Sequence, residues 1–282
     1  MKRVYSIISI LSFMFASCSG FLEEYSQDTA YVRGYEDLDE LLLGSVYMPT
    51  NAPEHMGYTY GTDGWYYPYI HLMTDEVQEN IRSSGNGASW DARERYFGYY
   101  TWQQQVGIDA LGTSIRKESS DWNKIYKHIN IANMILASID EQSTPKEEDE
   151  LEVMRIKGEA YFLRGAYYFI LVNLYGKPYT KTGAKNDLGV PIKNTEYIED
   201  KVYGRNTVEE VYAQVLADLG EAEKCLEKTV HKSIYRADIT ATYLLLSRVH
   251  LYMQNWEMAE SYAKKVLAKQ DDLRDLNMME GI

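Results

Sequence analysis

One long segment, residues 147–176, limits the possible folds more than any other part of the chain. Its apolar residues recur at spacings of three and four along two separate stripes, which is typical of a helix buried on two sides. Gly158 and Gly165 fall on one stripe, where they lower helix propensity but would let another backbone pack closely. Gly176 and Pro178 then end the helix. The segment therefore predicts a helix that is sandwiched between neighbouring helices.

Five further segments have a helical spacing of apolar residues. They are 36–48, 120–139, 207–228, 238–253 and 256–269. Thr207 and Glu210 form the capping box that begins the segment 207–228. The last two segments carry a tetratricopeptide-like pattern of large, small and aromatic positions, at Tyr243, Leu246, Ser247, His250, Trp256, Ala259 and Ala263. Because two such helices cannot bury their apolar faces alone, further helix pairs must stack on them.

The six helical segments group into three pairs. In chain order the pairs are 36–48 with 120–139, 147–176 with 207–228, and 238–253 with 256–269. Irregular residues rich in Gly, Pro and Asn interrupt the first two pairs, as insertions at 49–118 and 177–206. We therefore predict an all-α domain of tetratricopeptide-like helix pairs over residues 36–282, with two long irregular insertions.

The first insertion contains an unusual aromatic segment, GYTYGTDGWYYPYIH at 57–71. Its six rings, Tyr58, Tyr60, Trp65, Tyr66, Tyr67 and Tyr69, do not have helical spacing. The whole chain has 26 Tyr but only 6 Phe, and each Tyr adds a hydroxyl that needs a hydrogen-bond partner. This preference indicates half-wet surfaces such as inter-helix grooves, interfaces or a polar-ligand site. Two interpretations of the rings remain open, packing of the insertion onto the helices and a platform for a ligand.

Residues 1–17 have the features of a secretory signal peptide. Two basic residues precede an apolar run that is too short to span a bilayer, and small residues follow it. Cys18 comes directly after the small residues, which resembles a bacterial lipobox and implies a lipidated Cys18 that anchors the chain. An ordinary signal peptide with an incidental cysteine is the alternative. If Cys18 is lipidated, residues 18–35 form an extended tether, and Ser19 favours sorting to the outer membrane by analogy with other bacterial lipoproteins.

No combination of residues indicates catalysis. None of the five His residues has the spacing of a zinc site, and no glycine-rich loop has the strand and helix context that holds phosphate. Asp75 and Glu76 could suggest acid–base or calcium chemistry, but a solvated helix start accounts for both. Arg164 is expected to form a structural ion pair with Glu159 or Glu152. The sequence therefore predicts no enzyme, no cofactor and no metal site.

The net charge of the chain, −13, excludes some classes of binding partner. It argues against binding of nucleic acid, because contact with a phosphate backbone needs clustered Lys and Arg. It also argues against electrostatic binding to an anionic membrane face.

Further motifs occur in order along the chain. They are Cys18 with GFLEE at 20–24, MTDEV at 73–77, YYTW at 99–102, DWNKIYKHINIANMIL at 121–136, EAYFLRGAYYFILVNLYGKPY at 159–179 and RNTVEEVYAQVLADLGEAE at 205–223. Together they resemble the SusD/RagB family of Bacteroidetes, although Gly165 stands where this family usually has Ala. Members of that family are longer, with further repeat helices and a large C-terminal part. We therefore expect only the N-terminal SusD-like region here, with an uncapped apolar face at the last helix pair.

The resemblance also implies a function. It implies a lipid-anchored protein, exposed on the outer membrane, that binds oligosaccharide or polysaccharide and delivers it to a SusC-like TonB-dependent transporter. Aromatic rings would stack on the apolar faces of the sugars, and no covalent bond would be made or broken. The candidate platform residues are Trp65, Tyr66, Tyr67, Trp90 and Trp102. Two alternatives remain, a SusD-like component for peptide uptake and a repeat scaffold that binds only protein partners.

Overall fold

The structure is a computed structural model and describes residues 32–48, 73–75, 98–103, 120–197 and 199–272. Six helices make up most of these residues. The helices are α1 (Tyr35–Leu41), α2 (Ser120–Ser138), α3 (Glu147–Tyr175), α4 (Val208–Leu226), α5 (Ile239–Tyr252) and α6 (Trp256–Leu267). All of them belong to one unit, Gly34–Ile282. These described ranges contain no β-strand, and the prediction of an all-α fold is confirmed.

The helices pack in the predicted pairs. The segment that contains α1 packs on α2, α3 packs on α4, and α5 packs on α6. Helix α3 also contacts α1, α2 and α5, so the helix with two apolar stripes does lie between neighbours. Its buried residues come from both stripes, as Ile156, Ala160 and Leu163 on one and Tyr168 and Val172 on the other demonstrate.

The first predicted segment, 36–48, is not one regular α-helix. Helix α1 ends at Leu41 and continues as a π-helical turn, Leu42–Val46. The backbone nitrogen of Tyr47 closes this turn by donating to the carbonyl of Leu42 at 3.1 Å. Leu42 and Val46 are both fully buried, so the wider turn brings two core side chains onto the same side. The spacing of apolar residues alone could not distinguish this turn from a regular helix.

Gly158 and Gly165 mark the places where α4 comes close to α3. A Cβ atom at position 158 would lie 2.7 Å from Cγ of Leu226, which is closer than real contacts of this kind. At position 165 it would lie 3.3 Å from Cγ of Leu219, which is tight but tolerable. The close approach predicted for these glycines is therefore confirmed, and it is more severe at Gly158.

Helix α4 begins with the predicted capping box. The backbone nitrogen of Glu210 donates to Oγ1 of Thr207 at 3.2 Å, and the backbone nitrogen of Thr207 donates to Oε2 of Glu210 at 2.8 Å. Helix α5 has a similar cap that the sequence pattern did not reveal, in which the backbone nitrogen of Ala241 donates to Oδ1 of Asp238 at 2.8 Å. Both caps satisfy backbone donors that a helix start leaves without partners.

Tyrosine hydroxyls attach the 177–206 insertion to the helices. The hydroxyl of Tyr126 donates to the carbonyl of Pro191 at 2.7 Å. The hydroxyl of Tyr168 donates to the carbonyl of Lys193 and accepts from its backbone nitrogen, both at 2.8 Å. Irregular backbone lacks the regular hydrogen bonds of a helix or sheet, so these hydroxyls supply hydrogen-bond partners that a Phe side chain could not. Part of the preference for Tyr over Phe is therefore explained by hydrogen bonds between the helices and the insertion.

The last helix pair is buried on one side only. Tyr243, Leu246 and Ala259 lie in its interior, and Oγ of Ser247 donates to the carbonyl of Ala259 at 2.8 Å across the pair. Trp256, which matched the aromatic position of the tetratricopeptide pattern, is 60% exposed. The face that carries it is not covered by any part of the chain that the structure describes.

Candidate functional site

The structure describes one of the residues proposed for ligand binding, Trp102. The other four, Trp65, Tyr66, Tyr67 and Trp90, and the proposed lipidation site, Cys18, lie outside the described residues. Those assignments remain predictions.

Trp102 lies on a short helical turn at residues 98–103 and is 67% exposed. Its backbone nitrogen donates to the carbonyl of Tyr99 at 3.1 Å, and that of Gln103 donates to the carbonyl of Gly98 at 2.8 Å. Tyr99 packs partly against the core, and Gly98 is buried. The turn is therefore attached from one side and presents the indole ring on the other.

The backbone of Trp102 has a φ of 54°, in the left-handed region that normally favours glycine. A residue with a Cβ atom pays about 1–2 kcal/mol for this conformation. Strain of this kind persists only where the surrounding structure enforces it, and it occurs most often at ligand-binding and switch sites. A large, exposed aromatic ring on a strained turn is therefore a candidate for function, whereas packing does not explain it.

Asp75, the other described residue that could suggest chemistry, is exposed on a turn at 73–75. Its neighbour Glu76 lies outside the described residues. Among the residues that are described, no group of His, Cys, Asp and Glu side chains could hold a metal ion. None of the described helices is long and apolar enough to cross a membrane.

A cavity of about 570 Å³ lies between α1, the start of α3 and the loop that joins α4 to α5. It is lined by Tyr35, Glu36, Asp39, Glu40, Glu148, Asp149, Glu152, Arg155 and Lys232. Six of these side chains are acidic and two are basic, so the cavity is strongly negative. The hydroxyl of Tyr35 donates to Oδ1 of Asp149 at 2.9 Å, and this bond raises the pKa of Tyr35 to about 12.

Asp39 and Arg155, which line the cavity, also belong to a largely buried network of charges that joins three segments of the chain. Arg155 donates to Glu159 at 2.7 Å and to Asp39 at 3.1 Å, and Arg236 also contacts both carboxylates. The hydroxyl of Tyr47 donates to Glu159 at 2.6 Å. Burial works to raise the pKa of Asp39, but its bonds to Arg236 and the charge of Arg155 outweigh burial and hold it below the usual value.

Arg164 has a different partner from the one predicted. It does not pair with Glu159 or Glu152, which lie in the network around Arg155. Instead its guanidinium donates to both carboxylate oxygens of Asp218 on α4, at 3.0 and 2.5 Å. Asp218 is 54 residues away, and only the packing of α4 against α3 brings it within reach. The prediction of a structural ion pair is confirmed, but its partner was wrong.

A further nitrogen of Arg164, Nη1, links the Arg164–Asp218 pair to the second insertion through Asn133. Arg164 donates to Oδ1 of Asn133 on α2 at 2.8 Å. The amide nitrogen of Asn133 in turn donates to the carbonyls of Lys193 and Thr195, at 2.9 and 3.1 Å. One buried guanidinium therefore fixes α2, α3, α4 and part of the 177–206 insertion relative to one another.

The family model described as "SusD-like_3: Starch-binding associating with outer membrane" matches residues 66–251 of the chain. The chain belongs to the SusD-like family. The match includes the Trp102 turn, the Arg164–Asp218 pair and nearly all of α5, so helices α2 to α5 and the exposed aromatic turn belong to one family region, whereas α1 and α6 lie outside the matched residues. The family is a carbohydrate-binding one, and it is associated with the outer membrane.

Individual relatives agree with this membership. The starch-binding protein SusD of Bacteroides thetaiotaomicron is 23% identical over 94% of this chain and 45% of its own length. A putative sugar-binding protein from Bacteroides vulgatus is 29% identical, with a TM-score of 0.54 over 62% of this chain and 36% of that one. A SusD superfamily protein from the same organism is 21% identical, and its TM-score of 0.62 over 85% of this chain and 48% of that one supports the fold.

The SusD-like chain thus spans less than half of the length of each of these relatives. The activities and partners that their names state belong to the longer proteins.

Proposed function

We propose that this SusD-like protein binds oligosaccharide or polysaccharide at the surface of the outer membrane and delivers it to a SusC-like TonB-dependent transporter. The binding involves no bond making, and the protein is not an enzyme. The observation that carries the proposal is the family match over residues 66–251, which includes an exposed aromatic residue on a strained turn.

Trp102 has the properties that a sugar platform requires. Sugars present flat C–H faces, and a large ring that is held rigidly at the surface can take such a face with little loss of entropy on binding. The ring of Trp102 is 67% exposed, and the turn that carries it is anchored through Tyr99. Gln103 follows it directly, is also exposed, and offers an amide to the hydroxyls of a sugar. In this proposal Trp65, Tyr66, Tyr67 and Trp90 contribute further rings to the same site.

Delivery to a transporter requires the protein to stay near the membrane. Cys18, with a signal peptide before it, provides this attachment through acyl chains, and residues 18–35 act as the tether. The helix pairs remain available for contact with the transporter, since the proposed sugar site lies in the first insertion.

Affinity electrophoresis in native gels that contain starch or laminarin tests the proposal. We expect the wild-type chain to be retarded, and Trp102→Ala to bind at least about tenfold more weakly, which corresponds to about 1.4 kcal/mol. Alanine keeps the Cβ atom, so the strain of the turn is unchanged. Trp256→Ala is the matched control, because Trp256 is also an exposed Trp but lies at the start of α6.

The outcomes separate the proposal from its alternatives. Equal retardation of the wild type and of Trp102→Ala would remove Trp102 from the site, and an equal loss in both variants would indicate a nonspecific effect. Retardation by neither polysaccharide, together with saturable binding of a peptide mixture, would favour peptide uptake instead. Binding of neither class would leave a protein scaffold as the better description.

A further inference from the structure

An exposed apolar pair, Ile234 and Tyr235, occupies the centre of a tight turn in the loop between α4 and α5. We call this pair the apolar tip. The turn is closed by the backbone nitrogen of Arg236, which donates to the carbonyl of Ser233 at 2.9 Å. Ile234 is 83% exposed and Tyr235 is 76% exposed. Turn centres usually carry Gly, Pro, Asn, Asp or Ser, so two large apolar residues here are not explained by the needs of the turn.

The apolar tip is attached to the helices on both sides, although its own side chains do not pack in the core. On one side of the turn, Nζ of Lys232 lies 2.6 Å from a carboxylate oxygen of Glu152. On the other side, Arg236 binds Glu159 at 2.9 Å and also contacts Asp39. Next to Arg236, the backbone nitrogen of Ala237 donates to the hydroxyl of Tyr47 at 2.8 Å.

These contacts hold both ends of the turn to α1 and α3. The side chains of Arg236 and Glu159 are almost completely buried, so water does not compete for this pair. A turn that is held at both ends loses little conformational freedom when a partner binds it. Large side chains on a turn that is attached in this way are typical of the few residues that dominate a protein–protein interface.

The surface beside the apolar tip is acidic. Lys232 and Arg236 reach from the turn into the carboxylates of the cavity described above, so the tip lies at the edge of that cavity. Glu36, Glu40 and Glu148, which also line the cavity, are exposed. A partner that covers the tip therefore meets a surface of excess negative charge.

We propose that the apolar tip and the acidic cavity beside it form a docking surface for a segment of another protein that carries Lys or Arg around large apolar side chains. The large side chains of the segment pack on Ile234 and Tyr235, and its cationic groups face the carboxylates that line the cavity. This proposal does not depend on the binding of sugars at Trp102.

Other occupants fit these observations less well. Two copies of this chain that met at the apolar tip by two-fold symmetry would bring two acidic surfaces together, which is unfavourable. An anionic lipid surface would be repelled by the same carboxylates. A neutral sugar could stack on the ring of Tyr235, but it would use neither the side chain of Ile234 nor the excess negative charge.

Fluorescence anisotropy with labelled peptides tests the docking surface on the full chain. The probes share a central Leu-Phe-Leu that is flanked by Lys, by Gln or by Glu. We expect saturable binding of the Lys peptide, at least about tenfold weaker binding of the Gln peptide, and no binding of the Glu peptide. Binding of the Lys peptide should weaken as salt is added, because the attraction between charges is screened.

Three variants locate the binding. The double variant Ile234→Ser with Tyr235→Ser should weaken binding of the Lys peptide at least about tenfold. Its thermal midpoint should not change, because both side chains are exposed. The double variant Glu40→Gln with Glu148→Gln should also weaken binding. Val202→Ser, at an exposed apolar position on the 177–206 insertion, is the matched control and should bind as the wild type does.

Several results would overturn the proposal. One is the absence of binding by the Lys peptide. A second is equal binding to the wild type and to the Ile234→Ser, Tyr235→Ser variant, since that would indicate general attraction to an acidic surface. A third is a dimer in sedimentation velocity that this variant abolishes, because the occupant would then be a second copy of the chain.

Discussion

Replacing Arg164 by Met is expected to lower the free energy of unfolding by about 3–5 kcal/mol. Asp218, which is almost completely buried, would lose the guanidinium that now binds both of its carboxylate oxygens. An uncompensated charge in this position is costly, because water cannot reach it. Asn133 would also lose a partner, so the attachment of the 177–206 insertion should loosen. Chemical denaturation of the wild type and the variant measures the loss.

Two further variants show whether the loss comes from the buried pair. In Arg164→Met with Asp218→Leu the unpaired charge is gone, and most of the lost stability should return. Lys224→Met removes an exposed ion pair with Glu221 on α4 and should change stability little. A loss of less than about 1 kcal/mol in Arg164→Met would contradict the assignment of Arg164 as the junction of these helices.

Replacing Gly158 by Ala is expected to destabilise the protein by about 2 kcal/mol. The new Cβ atom would lie 2.7 Å from Cγ of Leu226 and 2.9 Å from Cβ of Cys225, so α4 must move away from α3. Because Leu226 is fully buried, it has little room to adjust. The higher helix propensity of Ala returns at most about 1 kcal/mol of the cost of this overpacking.

Gly165→Ala is the matched control for this prediction. It lies on the same helix and faces the same neighbour, but its closest contacts would be 3.2 and 3.3 Å. We expect a change within about 0.5 kcal/mol, since the gain in helix propensity offsets the small shift that is needed. If thermal or chemical denaturation gave the two variants equal stability, the close approach at Gly158 would not be a determinant of helix packing.

The periodic features of the chain could be predicted from its sequence. The two stripes of α3 and the capping box of Thr207 and Glu210 depend on residues a few positions apart, and the helix geometry fixes how such residues meet. The pairing of helices followed from the tetratricopeptide-like pattern of α5 and α6 and from the need to bury apolar faces.

The long-range contacts could not be predicted in the same way. Arg236 contacts Asp39, 197 residues away, and Arg164 contacts Asp218, 54 residues away. Several acidic residues are equally plausible partners in sequence, and only the packed helices select among them. The cavity and the apolar tip depend on these contacts, so neither was visible before the structure. The exposure and left-handed backbone of Trp102 likewise follow from how its turn is attached.

Isothermal titration of the wild-type chain with starch and laminarin oligosaccharides tests sugar binding most directly. We predict saturable heat with at least one of the two series, and loss of that heat in Trp102→Ala but not in Trp256→Ala. The absence of saturable heat with both series, from a chain that unfolds cooperatively and is therefore folded, would contradict glycan binding by this protein.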